Sequence, residues 1–156
     1  MRYRKILVPT DLSLAGKWAA LEALEHLKPG GELRLVHVCQ PEFVVTLYAD
    51  GNLPLYDPRL TRLKLARATA QVAREAKALG PRVKPKVISA ANPAVALVAE
   101  ALRFKAQVLV LSTHGRSGWD RFMFGSVAQK ILRLYDGPVL MLRPAQRSLK
   151  VPGFTT

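Results

Sequence analysis

Cysteine is nearly missing from this chain: Cys39 is the one residue of its kind. A lone thiol excludes an internal disulfide and any multi-cysteine metal site, and it points to the cytoplasm as the expected location. Acids are scarce as well, with 11 Asp and Glu against 24 Lys and Arg and a formal net charge of +13. Such an excess either coats a solvated surface or raises affinity for nucleic acid, acidic lipid or phosphate ligands. No apolar run approaches the roughly 18–20 residues of a membrane span. The opening residues MRYRKILVPTD meet Pro9 and Asp11 after a short apolar run, which fits a first strand better than a signal peptide. Also missing are a G-x4-G-K-[ST] phosphate loop, a G-x-S-x-G nucleophile elbow, zinc-finger spacing and an RNP-like aromatic motif. These absences remove the commonest nucleotide-hydrolysing, esterase and nucleic-acid-reading classes.

What is present is apolar and regularly punctuated. Hydrophobic residues make up 49% of 156, enough for one domain with a full core. Ile6-Leu7-Val8 reads as a short buried strand, broken by Pro9-Thr10-Asp11. Ser13 then caps a helix reaching about Leu27, with Leu14, Trp18, Leu21 and Leu24 toward the core and Pro29-Gly30-Gly31 as its stop. Leu33 to Val38 is a second strand. Residues 41–58, with Pro41, Pro54, Pro58 and Asp50-Gly51-Asn52, read as an extended loop covering a ligand or partner, or simply packed on the surface.

Arg59 to Leu79 is the next helix, with Leu60, Leu63, Ala70, Ala73 and Ala76 on its apolar side. Arg59, Arg62, Arg67 and Arg74 form an exposed basic stripe. Lys84 to Ser89 is a strand suited to a sheet edge, because Pro85 interrupts it. Asn92 and Pro93 open a helix carrying Val95, Val98, Ala99 and Leu102. Gln107 to Leu111 is the fourth strand. A helix then runs from Ser126, as its N-cap, to Gly137-Pro138, and Val139 to Leu142 is the fifth strand. Residues 1–144 form the domain and 145–156 a tail. The alternation βαβαβαβαβ with throughout-apolar strands implies a mostly parallel α/β sheet covered by helices on both faces.

In such sheets ligands sit beyond the carboxyl ends of strands, where strand order reverses. Asp11, Val38 and Ser112 to Gly115 all lie at such ends. The stretch VLVLSTHGRSGWDRFMFGS, Val108 to Ser126, is a strand, a glycine loop and a helix start. Unpaired N–H groups and the helix dipole there suit a phosphate. An acceptor-only carboxylate at Asp11 suits ribose hydroxyls, and Arg116 is a charge partner for phosphate. Plainer roles stand beside these. Asp11 would also brace its turn, and His114 its loop. His37 fits a sheet histidine, Cys39 a small buried hydrophobe, and Trp119, Phe122, Met123 and Phe124 core or dimer contacts.

The motifs KILVPTD (Lys5 to Asp11), LVHV (Leu35 to Val38), THGRSG (Thr113 to Gly118), GSVAQKIL (Gly125 to Leu132) and GPVLMLRP (Gly137 to Pro144) together resemble the universal stress protein family. The resemblance runs from about Tyr3 to Pro144. It implies a five-stranded parallel sheet of order 3-2-1-4-5, Rossmann-like and similar to the adenine nucleotide alpha hydrolases, and a homodimer through Val139 to Leu142. ATP-binding members look like G-x2-G-x9-G-[ST]; here Gly115, nine residues and Gly125-Ser126 match, and Ser112 replaces the first glycine.

The resemblance implies ATP or another adenine nucleotide, with Mg2+ or Mn2+ across its phosphates, as a regulatory ligand that is hydrolysed slowly at most. No catalytic residue and no protein metal site are implied. The nucleotide-binding set would be Pro9, Thr10, Asp11, Val38, Leu111, Ser112, His114, Gly115, Arg116, Gly125, Ser126 and Val127. Asp11 would take the ribose, Val38 the adenine, and Ser112, His114, Gly115, Gly125, Ser126 and Val127 the phosphates. Two other readings fit the same chain: a nucleotide-free interaction module of the same fold, and a basic nucleic-acid-associated protein.

Overall fold

Hydrophobic strands alternate with helices along the described residues, which in this computed structural model are 2–48, 51–112 and 125–143. In order they are β1 (Tyr3–Pro9), α1 (Leu14–Glu25), β2 (Leu27–Cys39), β3 (Phe43–Tyr48), β4 (Gly51–Tyr56), α2 (Pro58–Leu79), β5 (Val83–Ser89), α3 (Pro93–Phe104), β6 (Val108–Ser112), α4 (Ser126–Leu134) and β7 (Val139–Leu142). Five strands form one parallel sheet in the order β5-β2-β1-β6-β7. Leaving out the β3–β4 pair, that is 3-2-1-4-5, the order the resemblance implies. Strand order reverses between β1 and β6, so the ends of these two strands bracket a crevice. No described helix is long and apolar enough to cross a membrane.

Side chains alternate across the sheet, as period two requires. Ile6, Val8, Leu33, Leu35, Val108 and Val110 face α1 and α2, where they meet Ala19, Ala20, Ala23, Val72 and Ala76. Leu7, Val36, Leu109 and Leu111 face α3 and α4, meeting Ala94, Leu97, Ala101, Ala128 and Ile131. Both faces are covered, which is why the strands read as unbroken apolar runs. Pro85 sits in β5, an edge strand of the main sheet, where a missing N–H is tolerated.

The helices present different faces from those expected. In α1 the buried residues are Ala15, Gly16, Ala19, Ala20 and Ala23, whereas Leu14 is exposed and Trp18 and Leu24 only flank the core. Small residues let this helix lie close to β1. In α2 the inward residues are Thr61, Ala68, Val72, Glu75 and Ala76, so Leu60, Leu63, Ala70 and Ala73 lie outside. In α3 they are Ala94, Leu97, Glu100, Ala101 and Phe104, with Val95, Ala99 and Leu102 exposed and Val98 half-buried. Each of α2 and α3 carries a buried acid: Glu75 meets Lys17 at 3.6 Å, and Glu100 meets Arg34 at 2.9 Å. In sequences rich in Ala, Leu and Val the period does not fix the phase of the stripe, and here each inward face holds an acid as well as apolar residues.

Two boundaries also differ. Helix α1 ends at Glu25, capped by His26, and Pro29-Gly30-Gly31 lies within β2. Tyr3 pairs with Leu27 but Lys5 with Glu32, so β2 carries extra residues there as a bulge. A Cβ on Gly31 would come within 2.8 Å of the Arg4 carbonyl oxygen. Phe43–Tyr48 and Gly51–Tyr56 pair as the antiparallel β3–β4 hairpin where a loop was expected, with Phe43 opposite Tyr56. Helix α4 stops at Leu134, earlier than Gly137-Pro138 suggested.

Glu75 is 5% exposed, and neither of its oxygens has a hydrogen-bond partner of good geometry among the described residues. Burial pushes its carboxyl above the ordinary value of 4.5, and Lys17 offsets this only in part. The folded chain therefore holds this proton more tightly than the unfolded chain does. Its contribution to stability falls as pH rises from about 4.5 through the raised value. In urea melts from pH 4 to 8, Glu75→Gln should gain relative to wild type as pH rises. A constant difference would remove Glu75 as the source.

Candidate functional site

The turn after β1 is held by its own side chains. Thr10 Oγ1 accepts from the Leu12 N–H at 3.0 Å, and Asp11 Oδ1 accepts from the Ser13 N–H at 3.0 Å. Ser13 Oγ caps α1 by accepting from the Gly16 N–H at 3.2 Å. Leu12 takes a φ of 66°, a left-handed conformation unusual for a branched side chain. This kink is what lets Asp11 sit at the end of β1 while the chain turns back into α1.

Gly16 is pressed against the same turn. A Cβ there would lie 2.8 Å from Thr10 Oγ1 and 3.3 Å from Asp11 Oδ1. From the next strand His37 reaches across, its Nδ1 lying 2.7 Å from the Thr10 carbonyl oxygen. A carbonyl only accepts, so Nδ1 carries the hydrogen and, in the neutral ring, Nε2 is the acceptor. Thr10 itself is buried, and its N–H donates to the Val36 carbonyl at 2.8 Å.

These groups open onto a cavity of about 320 Å3. Pro9, Thr10 and Asp11 come from the end of β1, Val38 from β2, Leu111 and Ser112 from β6, and Gly125, Ser126 and Val127 from the start of α4. Every described residue of the sequence-derived set thus lines one crevice. His114, Gly115 and Arg116 lie outside the described residues, as do Gly118, Trp119, Phe122, Met123 and Phe124.

Gly16, His37, Pro93 and Leu97 line the crevice too and were not among the candidates. Leu97 could have been found from the helical period had α3 been read in its true phase. Gly16 carries no local signal, because the reason for it lies in a turn that folds back upon it.

At α4 one expectation needs correcting. Gly125, extended at φ −56° and ψ 151°, is the N-cap, and Ser126 is the first helical residue. Among the described residues no side chain caps the helix, that of Ser126 included. A helix start left in this way offers backbone donors and the positive end of its dipole to the crevice. Its lining is apolar at Val36, Val38, Leu97 and Leu111 and polar at Asp11, Ser112 and Ser126. The arrangement suits a flat apolar ring with hydroxyls on one side and an anion on the other. Among the described residues no group of three or more His, Cys, Asp or Glu could hold a metal.

Comparison with known proteins gives a consistent picture. The family model described as "Universal stress protein family" matches residues 2–143. A universal stress protein of Methanocaldococcus jannaschii is 28% identical over 146 residues, covering 93% of this chain and 85% of that protein. Among solved structures, universal stress protein UspA from Lactobacillus plantarum superposes with a TM-score of 0.69 at 20% identity, covering 92% of this chain and 99% of that one. A universal stress protein in complex with cAMP gives a TM-score of 0.62 at 21% identity, covering 93% and 100%.

Proposed function

The chain belongs to the universal stress protein family, and on that premise we propose that it binds an adenine nucleotide, ATP first among them, as a regulatory ligand. The observation that carries this reading is the convergence on one crevice of the ends of β1, β2 and β6 with the start of α4, which no side chain caps among the described residues. In the proposed complex the adenine lies on Val38 and the apolar lining. The carboxylate of Asp11, an acceptor only when ionised, accepts from the ribose hydroxyls. Pro9, Thr10 and Leu111 shape the wall. Backbone N–H groups of Gly125, Ser126 and Val127 meet the phosphates, with Ser112 beside them and His114, Gly115 and Arg116 completing the cradle.

The size of the cavity supports this reading, because about 320 Å3 lies at the small end of ligand pockets and accommodates a nucleoside with its phosphates toward the mouth. The relative solved with cAMP points to the same ligand chemistry. A bound Mg2+ or Mn2+ would be held chiefly by phosphate oxygens and water. Dimerisation is part of the proposal: β7 pairs with β6 and, among the described residues, is the last strand of the main sheet, which makes Val139–Leu142 the edge for a second copy.

Calorimetric titration tests the reading directly. ATP with Mg2+ should give saturable heat with a Kd of about 1 mM or tighter, and Asp11→Ala should weaken it about tenfold, the loss of one or two hydrogen bonds to a charged acceptor. Neither heat nor a thermal shift with ATP, AMP or cAMP at several times that concentration would sink the proposal.

A further inference from the structure

Helix α2 carries six cations, Arg59, Arg62, Lys64, Arg67, Arg74 and Lys77, and one acid, Glu75. Glu75 is buried against Lys17, so the solvent side of a 22-residue helix presents no carboxylate. At 100° per residue, Arg59, Arg62, Arg67, Arg74 and Lys77 fall within an arc of about 140° centred opposite the buried positions. All five are exposed, and among the described residues none is ion-paired; Lys64 alone of the six pairs, with Glu42. From Arg59 to Lys77 the stripe runs about 27 Å. Exposed Ala66, Ala70, Ala73 and Ala78 lie between the cations and leave room for close approach.

At the start of this stripe stands the base of the β3–β4 hairpin. Phe43 and Tyr56 face each other across the strands, edge to face with centroids 6.0 Å apart, and are 56% and 54% exposed. Tyr56 is three residues from Arg59. Exposed rings at the head of a line of guanidinium groups without an ion-pair partner among the described residues combine a stacking surface with phosphate ligands.

We propose that α2 and the base of the hairpin form a docking surface for single-stranded nucleic acid, with phosphates along the arginine stripe and bases on Phe43 and Tyr56. The planar guanidinium fork matches phosphate oxygens. Stacking accepts any base, so binding is largely independent of sequence. The surface is separate from the nucleotide crevice, which none of these residues lines. An acidic bilayer would call for bulky apolar anchors along the length of the helix, whereas the stripe beyond Leu63 is spaced by alanine. A duplex would engage the cations and leave the ring pair unused.

The test is fluorescence anisotropy of the whole protein with a labelled oligo-dT of about 15 nucleotides, within the range single-strand sites cover. With about five phosphates neutralised, log K should fall against log salt with a slope of about −3.5. Arg62→Glu, Arg67→Glu and Arg74→Glu together should weaken binding about 100-fold or more and flatten the slope. Phe43→Ala with Tyr56→Ala should weaken it about tenfold or more and leave the slope in place. Glutamine at the three arginines gives a milder form of the same loss, and circular dichroism with a thermal melt confirms that each variant is folded. Equal binding by the folded charge-reversed variant would overturn the proposal. So would a duplex of equal length binding as tightly as the single strand, or phosphatidylserine vesicles being bound where the oligonucleotide is not.

Discussion

Gly16→Val should cost this protein its nucleotide, lowering affinity by about 100-fold, the equivalent of roughly 3 kcal/mol. The bare Cβ would already stand 2.8 Å from Thr10 Oγ1 and 3.3 Å from Asp11 Oδ1. Two further methyl groups force either α1 to back away or the Thr10–Asp11 turn to open. The turn is the softer element, since it is held by the two side-chain bonds to the Leu12 and Ser13 N–H groups. Opening it withdraws the proposed ribose acceptor and releases the Thr10 carbonyl from His37. Overpacking of this kind also lowers stability, by about 1–3 kcal/mol. Calorimetry with ATP and a urea melt on the same preparation separate the two effects. Wild-type affinity in the variant would mean that the turn plays no part in holding the ligand.

Glu100→Ala should lower global stability at neutral pH by about 3 kcal/mol. Glu100 is 4% exposed and accepts from Arg34 Nη1 at 2.9 Å and from Arg103 Nε at 2.9 Å and Nη2 at 2.8 Å. The Arg34 guanidinium in turn lies over the Phe104 ring, 3.9 Å from its centroid. Removing the carboxylate leaves Arg34 under α3 with Glu32 as its remaining acid. The loss stays at the low end for a broken buried pair because Arg103 is largely exposed.

Burial alone would raise the pKa of Glu100, but the hydrogen bonds from Arg103 and Arg34 outweigh it and hold the carboxyl below its ordinary 4.5. A depressed carboxylate stabilises above the unfolded value and loses that contribution as pH falls through the folded one. The gap between wild type and Glu100→Ala should therefore narrow in melts below about pH 4. An equal gap at pH 3 and pH 7 would assign the loss to packing alone.

These two carboxylates, Glu100 and Glu75, mark where sequence and structure part. Strand order, the edge position of β5, the caps at Ser13 and Asn92, and the crevice at the ends of β1, β2 and β6 were all legible. Short-range chemistry and a familiar set of motifs specify them. The inward faces of α2 and α3 were not legible, because Lys17 and Arg34, which draw the acids inward, come from α1 and β2, far away in sequence. The hairpin was hidden by Pro54 and by Asp50-Gly51-Asn52, signals shared by loops and tight turns. Gly16 was hidden because its neighbour across the gap, Thr10, belongs to another element.

The hairpin also says how such a chain diversifies. Its two ends meet: the Asp57 N–H donates to the Glu42 carbonyl at 2.9 Å, and the Glu42 N–H donates to Thr61 Oγ1 at 2.9 Å. The link from β2 to α2 is therefore already closed at its root, and β3 and β4 pair mainly with each other. To the α/β body they form an outgrowth on a sealed stem. Lengthening, shortening or resurfacing it leaves the register of β1, β2 and β6 untouched. What the molecule touches outside can drift in evolution while the ends of those three strands stay as they are.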